Sequence, residues 1–272
     1  MSLTRQSRHY LMIGGVQWLV DWGVMVGLSH LGLMIEWANI AGRISGDSTV
    51  AYAWAYAMAL EAATGVEAPA RATAFRGIAL ELERIANHLG DLGYLGNDVA
   101  LSFGFFQFWR LKETLLRVHR QVFGHRYLMD FILPGGVARD PSQIDRLNEV
   151  LAYIKSEVGV LRGIYDEHAG AQDRFIMTGQ VAPELAERLG LTGVAGRASS
   201  QDYDLRADLP VPPYAGLQVA KSGHIRGDVS ARVSVRFEEL AESLRLISEL
   251  LQRASGGVLR VSLPALKPAA RG

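Results

Sequence analysis

The chain has 272 residues with 28 basic and 28 acidic side chains, so its formal charge is zero and it lacks the basic excess of a nucleic-acid binder. Hydrophobic residues at 49% and charged residues at 21% describe an ordinary globular chain, not a disordered one. No cysteine is present, which excludes disulfides, a thiolate nucleophile and thiolate-ligated iron–sulfur or zinc sites on this chain.

Residues 11–35 are rich in Leu, Val, Met, Trp and Gly. Gln17, Asp21, Ser29 and His30 interrupt the run and its glycines weaken a helix, so it reads as a buried or interface-packed segment and not as a membrane span. No signal-peptide pattern is clear. An alanine-dominated helix is expected over 50–63. Ile78, Leu82, Ile85, Leu89 and Leu92 then recur at helical spacing, as do Phe108, Leu111, Leu115, Val118 and Val122 in the next segment. A third long helix is expected to start at Asp140, with Pro141 at its first position and Gln143 in the capping-box position. Its stripe is Ile144, Leu147, Leu151, Ile154, Val158 and Leu161. Residues 179–228 hold four of the nine prolines and read as a short helix over 183–189, stopped by Gly190, then loops and short strands. A last helix carries Val233, Phe237, Leu240, Leu244, Ile247 and Leu251. Such long stripes predict helices packed antiparallel around a shared core.

Three polar features stand out. Glu81, Arg84, His88 and Asp91 lie opposite the apolar face of their helix, at spacings that allow Glu81–Arg84 and Arg84–His88 pairs. They form either a solvated face or a buried network turned towards a second subunit or a cofactor. Asp98 precedes an aromatic run, Phe103, Phe105, Phe106, Phe108 and Trp109. It is either a turn residue after Gly96-Asn97 or a proton-handling carboxylate. The segment Pro134-Gly135-Gly136-Val137 separates two helices. His30, His119, His125, His168 and His224 are scattered without metal-site spacing, and no glycine-rich phosphate fingerprint or Ser/His/Asp set is present.

The order and spacing of several segments resemble one family. They are Gly46-Asp47-Ser48-Thr49-Val50-Ala51, Glu81-Leu82-Glu83-Arg84-Ile85-Ala86-Asn87-His88, Asn97-Asp98 with the aromatic run, and Pro134-Gly135-Gly136-Val137-Ala138-Arg139-Asp140. Gln201-Asp202-Tyr203-Asp204-Leu205-Arg206, Arg226-Gly227-Asp228-Val229, Arg232 and Arg236-Phe237-Glu238-Glu239 follow. Together they resemble the quinone-site large (D-type) subunit of NADH–quinone oxidoreductase and the large subunit of membrane-bound nickel–iron hydrogenases. The resemblance implies a mainly α fold, a long-helix bundle of the hydrogenase large subunit type with a small irregular α+β insert. It implies a diverged N-terminal segment over 1–40, the helical domain over 41–257 with the insert at 179–228, and a loose tail over 258–272.

Two departures qualify what is carried over. In the hydrogenase branch the segment after Arg43 holds metal-binding cysteines; Ser45-Gly46-Asp47-Ser48 stand there, and serine is a poor ligand for soft nickel and iron. No metal on this chain and no hydrogen activation are therefore expected. In the quinone branch a tyrosine that hydrogen-bonds the quinone falls at Gly46. A cysteine-less branch related to the energy-converting hydrogenases matches the pattern best. The resemblance implies an acceptor cavity lined by Ser45, Gly46 and Ser48, with Asp98, His88, Arg84 and Glu81 as proton-handling residues and Arg226, Asp228, Arg232 and Arg236 at interfaces. Quinone is the implied guest, and an iron–sulfur cluster the implied cofactor of a small partner subunit. A C-type peripheral subunit and ion-translocating membrane subunits are the other implied partners, and NAD would bind a different subunit. The implied location is peripheral, on the cytoplasmic face of the inner membrane. The competing expectation is a non-catalytic scaffold or truncated remnant of the family.

Overall fold

The computed structural model describes residues 34–264. The apolar run over 11–35 lies almost wholly outside the described residues. Two short helices lead in, α1 (Met34–Ala41) and α2 (Thr49–Thr64). The long helices follow: α3 (Ala70–Asp98), α4 (Ser102–Phe123), α5 (Ile144–Glu167) and α10 (Val229–Arg253). Between α5 and α10 lie α6 (Ala169–Phe175), α7 (Pro183–Leu189), α8 (Gly193–Ala198) and α9 (Leu205–Asp208). A two-stranded antiparallel hairpin, β1 (Ile132–Leu133) and β2 (Gly136–Val137), joins α4 to α5.

The axis of the bundle is α3, packed between α4 and α10. Ile78, Leu82, Ile85, Leu89 and Leu92 are all fully buried, each contributing about 2 kcal/mol of transfer free energy. Phe108, Leu111 and Leu115 face them from α4, and Phe237, Leu240 and Ile247 from α10. Four glycines in α3 are poor helix formers, yet they sit where neighbours press closest. A Cβ at Gly93 would stand 2.9 Å from the Trp109 ring, and one at Gly96 only 2.3 Å from the Tyr165 hydroxyl. That hydroxyl donates to the Leu92 carbonyl at 2.8 Å and ties α5 to α3.

One ion pair fastens α2 to α3 and both to the hairpin. Arg76, 1% exposed, donates to both Glu61 carboxylate oxygens at 2.6 and 3.0 Å. It also donates to the carbonyls of Leu133 at 2.7 Å and Gly136 at 3.1 Å, while Glu61 accepts the Gly135 N–H at 2.8 Å. The hairpin turn needs Gly135 and Gly136, whose φ values are 80° and 155°.

Most expected elements are present, with three differences. The helix expected from Asp140 starts at Ile144, because Gln143 sits in the left-handed region at φ 56° and makes no capping bond. Asp140 instead accepts two hydrogen bonds from Arg71, at 2.9 and 3.0 Å. The irregular insert holds three short helices and no strand among the described residues; the strands flank Pro134-Gly135, where two glycines allow a tight reversal. Part of the tail expected to be loose is pinned: the Leu259 carbonyl accepts the Val137 N–H at 3.0 Å, and the Val261 N–H donates to the Gly135 carbonyl at 2.9 Å. Among the described residues no helix is long and apolar enough to cross a membrane.

Candidate functional site

The polar stripe on α3 is buried at Glu81 and His88 and partly exposed at Arg84 and Asp91. Glu81 is fully buried; its carboxylate accepts from Arg206 at 3.0 Å, Tyr214 at 2.5 Å and Ser243 at 2.6 Å. Arg206 also grips Asp204, at 3.0 and 2.7 Å. One turn along, Arg84 reaches Glu239 at 3.5 Å and Arg197 donates to the same carboxylate. Three carboxylates, Glu81, Asp204 and Glu239, thus meet three guanidinium groups, Arg84, Arg197 and Arg206, so the interior carries balanced charge. Burial alone would raise the Glu239 carboxyl, but the adjoining His88 ring edge and the Arg197 guanidinium outweigh it and hold it low.

His88 completes this network. Its Nδ1 stands 3.5 Å from the Arg236 guanidinium, which can only donate, so Nδ1 accepts and Nε2 carries the proton. Nε2 lies 3.1 Å from Glu239, off the line of a good hydrogen bond. Burial lowers the His88 pKa, with Glu239 pulling the other way, so the ring is neutral. Arg236 also pairs with Asp91 at 2.5 Å.

The loop that carries Ser45 to Ser48 is held by α3. Ser48 makes no side-chain cap for α2. Glu83 supplies it, accepting the Val50 N–H at 2.6 Å and the Ala51 N–H at 3.2 Å, where the helix dipole favours a carboxylate. Asn87 donates to the Asp47 carbonyl at 2.6 Å. Two clefts open on either side of Glu83 and Asn87, which line both. The first, of about 340 Å³, is bounded by Gly46 and Asp47, by Lys112, Leu116 and His119 of α4, and by residues 126–129. The second, of about 290 Å³, is bounded by Ser48, by Arg84 and His88, and by Arg197, Arg236 and Glu239. Ser45 is half-buried and lines neither.

Beyond the first cleft runs an exposed aromatic ridge. The Lys112 ammonium lies 5.0 Å from the Trp109 ring centre, and Trp109, Tyr94, Phe105 and Phe106 follow in edge-on and tilted contacts at 5.4 to 5.8 Å. Gly90 and Gly93 make this possible, since a side chain at either would displace Lys112 or Trp109. Asp98 is exposed at the last turn of α3, about 25 Å along the helix axis from Glu81 at 1.5 Å per residue. The structure therefore brings Glu81, Arg84 and His88 together and leaves Asp98 apart from them, at the ridge end.

The remaining expected residues divide. Asp228 caps α10 by accepting the Ala231 N–H at 2.8 Å, and also accepts the Met177 N–H at 2.9 Å. Arg232 donates to the carbonyls of Gly179 and Gly227, so both residues fasten the insert to α10. Arg226 is exposed beside Ile225, which is 73% exposed. Sequence reasoning does not single out Glu83, Lys112, His119, Arg197 or Glu239. Glu83 and Glu239 stand inside the segments that carry the resemblance; the others have no local signal, because their partners are distant in the chain.

Glu83 gives a pH signature. Burial is the largest influence and pushes its carboxyl from 4.5 up to about 7, against the lowering effect of the Val50 and Ala51 amides. The folded state then holds the proton more tightly than the unfolded chain. That contribution is full below pH 4.5 and is lost as pH rises through 7, by about 1–3 kcal/mol. The difference in melting temperature between wild type and Glu83→Gln should therefore widen in favour of the variant from pH 5 to 8. A difference that is flat across this range would show that Glu83 ionises normally.

The donor set beside residues 45–48 is Ser45, Asp47, Ser48 and Glu83, hard oxygen groups and not the thiolates a nickel–iron centre takes. Among the described residues no cluster of three His, Asp or Glu side chains is arranged to hold a metal.

A long-helix bundle whose central helix carries a charge-balanced network beside a serine-bearing loop defines an architecture of the hydrogenase and respiratory large-subunit type. The chain belongs to the family described as "Respiratory-chain NADH dehydrogenase, 49 Kd subunit", whose model matches residues 98–271. It is 34% identical over 219 residues to NADH-quinone oxidoreductase subunit 4 of Thermus thermophilus, covering 80% of this chain and 54% of that protein. It is 30% identical to formate hydrogenlyase subunit 5 of Escherichia coli, covering 82% of this chain and 39% of that one. A chain in the structure of the membrane-bound sulfane sulfur reductase, an archaeal respiratory membrane complex, superposes with a TM-score of 0.78 at 26% identity. That match covers 85% of this chain and 63% of the other. The chain thus spans about half the length, or less, of these two curated relatives.

Proposed function

We propose that this protein is a peripheral-arm subunit of a membrane-bound respiratory oxidoreductase of the NADH–quinone oxidoreductase or hydrogenase-related kind, and that it forms one wall of an acceptor cavity. The single observation that carries the reading is the pair of clefts beside Gly46, Asp47 and Ser48, the loop that the sequence resemblance aligns with metal or quinone contacts in the related branches. A small iron–sulfur protein seals the cavity and brings electrons, a C-type peripheral subunit adjoins it, and ion-translocating membrane subunits lie beneath, at the cytoplasmic face of the inner membrane. The acceptor is of quinone type: its head lies in the first cleft and its apolar tail runs along the aromatic ridge towards Asp98. NAD belongs to another subunit.

The chain's own residues couple the cavity to protons. Negative charge arriving in the cavity raises the proton affinity of His88, which is neutral and lines the second cleft beside Arg84 and Glu239. With the surrounding three carboxylates and three guanidinium groups already charge-balanced, a proton on His88 changes the field around them. Loss of quinone reduction in an Asp98→Asn complex would add Asp98 to this set.

Gly46 provides the test. A Cβ there meets no atom within 4 Å and Gly46 lines the first cleft, so a side chain can be added at its mouth without displacing a neighbour at Cβ. In the complex purified with its neighbouring subunits and driven by reduced viologen, Gly46→Trp should cut decylubiquinone reduction at least about tenfold by excluding the ring. An assembled Gly46→Trp complex with the full wild-type rate would place the acceptor elsewhere, and a wild-type complex that reduces no quinone would favour the scaffold reading.

A further inference from the structure

The first cleft holds two polar groups whose bonding capacity the fold leaves unused. His119 is 1% exposed, and its Nδ1 stands 3.1 Å from the Arg126 carbonyl oxygen. A carbonyl only accepts, so Nδ1 carries the proton and Nε2 is a bare acceptor. Nε2 is buried and meets no hydrogen-bond partner among the described residues. Burial pulls the ring down to about 4, so near neutral pH it stays an acceptor. A buried acceptor without a donor is costly and calls for an explanation.

Lys112 lies seven residues earlier on the same face of α4, with Leu116 between them as an apolar floor. Its ammonium rests over Trp109 and forms no ion pair among the described residues; the adjacent carboxylate, Glu113, is taken by Arg117 and Arg126. Arg126 is likewise spent on Glu113, and Asp47 and Glu83 line the cleft from the 45–48 loop and α3. The α4 wall therefore offers one cation and one acceptor across an apolar strip.

An oxidised quinone ring carries only acceptor oxygens, so it can use Lys112 but has nothing to give His119. The reduced ring carries hydroxyls and satisfies both. We infer that this cleft selects a hydroquinone-type ring, one oxygen held by Lys112 and one hydroxyl donated to His119 Nε2, and binds it more tightly than the quinone. The inference rests on the acceptor-cavity reading and names which redox form the cavity favours.

Product inhibition in the purified complex reads this directly, with decylubiquinone as substrate and decylubiquinol as inhibitor. The wild-type inhibition constant for the quinol should lie about tenfold below the KM for the quinone. His119→Phe should raise that inhibition constant about tenfold and abolish the preference over the quinone, whereas Lys112→Met should weaken both forms, and His119→Gln, whose amide oxygen accepts, should keep the preference. A second readout needs no variant: quinol affinity in the wild type should fall as pH approaches 4, where Nε2 takes a proton, while quinone affinity does not. Equal affinity for both redox forms, or a preference that survives His119→Phe, overturns the inference and leaves the cavity in place. Neither quinone reduction nor quinol binding overturns both.

Discussion

Replacing Arg76 with leucine is expected to lower the free energy of unfolding by about 3–5 kcal/mol, because it strands a carboxylate that the fold has removed from water. Glu61 is 8% exposed, and its two oxygens are occupied by Arg76 and the Gly135 amide. Without the guanidinium, Glu61 must protonate or draw water in, and the carbonyls of Leu133 and Gly136 lose their donor at the same time. The damage spreads from α2 to the hairpin, since one side chain serves both. Urea unfolding followed by circular dichroism should show a lower midpoint with an unchanged slope. A loss below about 1 kcal/mol would mean that the pair is solvated and that the hairpin is held by something else.

The second large effect is expected at Glu81. Glu81→Ala removes the acceptor shared by Arg206, Tyr214 and Ser243, leaving a buried guanidinium with Asp204 alone. The expected cost is again about 3–5 kcal/mol, by the same asymmetry between breaking a buried pair and never burying it. Here the consequence is also local. Arg206 and Tyr214 belong to the insert, and Glu81 is their anchor on α3, so the insert should detach before the bundle unfolds. Limited trypsin digestion should cleave the variant at Arg206 or Lys221 while the long helices stay protected. Equal protease resistance of variant and wild type would contradict this anchoring role.

These two clusters illustrate what the sequence can and cannot disclose. The long helices are legible because their apolar residues recur at helical spacing and because burial needs only one face. The 183–189 helix is legible because Pro183 and Gly190 punctuate it. The start of α5 is not, because Asp140 and Gln143 look like capping residues; Arg71, far away in the chain, takes the aspartate instead. The polar stripe on α3 is visible as a stripe, but its burial is not, since the groups that cover it come from the insert and from α10. Glu61 and Arg76 lie 15 positions apart on different helices, α2 and α3, a spacing that carries no local signal. Lys112 and His119 read as ordinary members of a helix until the 126–129 loop comes to line the first cleft with them. The missing cysteines at Ser45 and Ser48 are legible at once, and they set the direction of the functional reading.

The proposed function requires a guest in the space between the 45–48 loop, α3 and α4. Photoaffinity labelling of the intact complex with an azidoquinone, followed by peptide mass mapping, tests this most directly. The expected adducts lie on the cleft wall, on residues 112–119 and 126–129, and are suppressed by decylubiquinol and by Gly46→Trp. Adducts confined to the outer face of α5 or to other subunits, with the cleft peptides unlabelled, would contradict it.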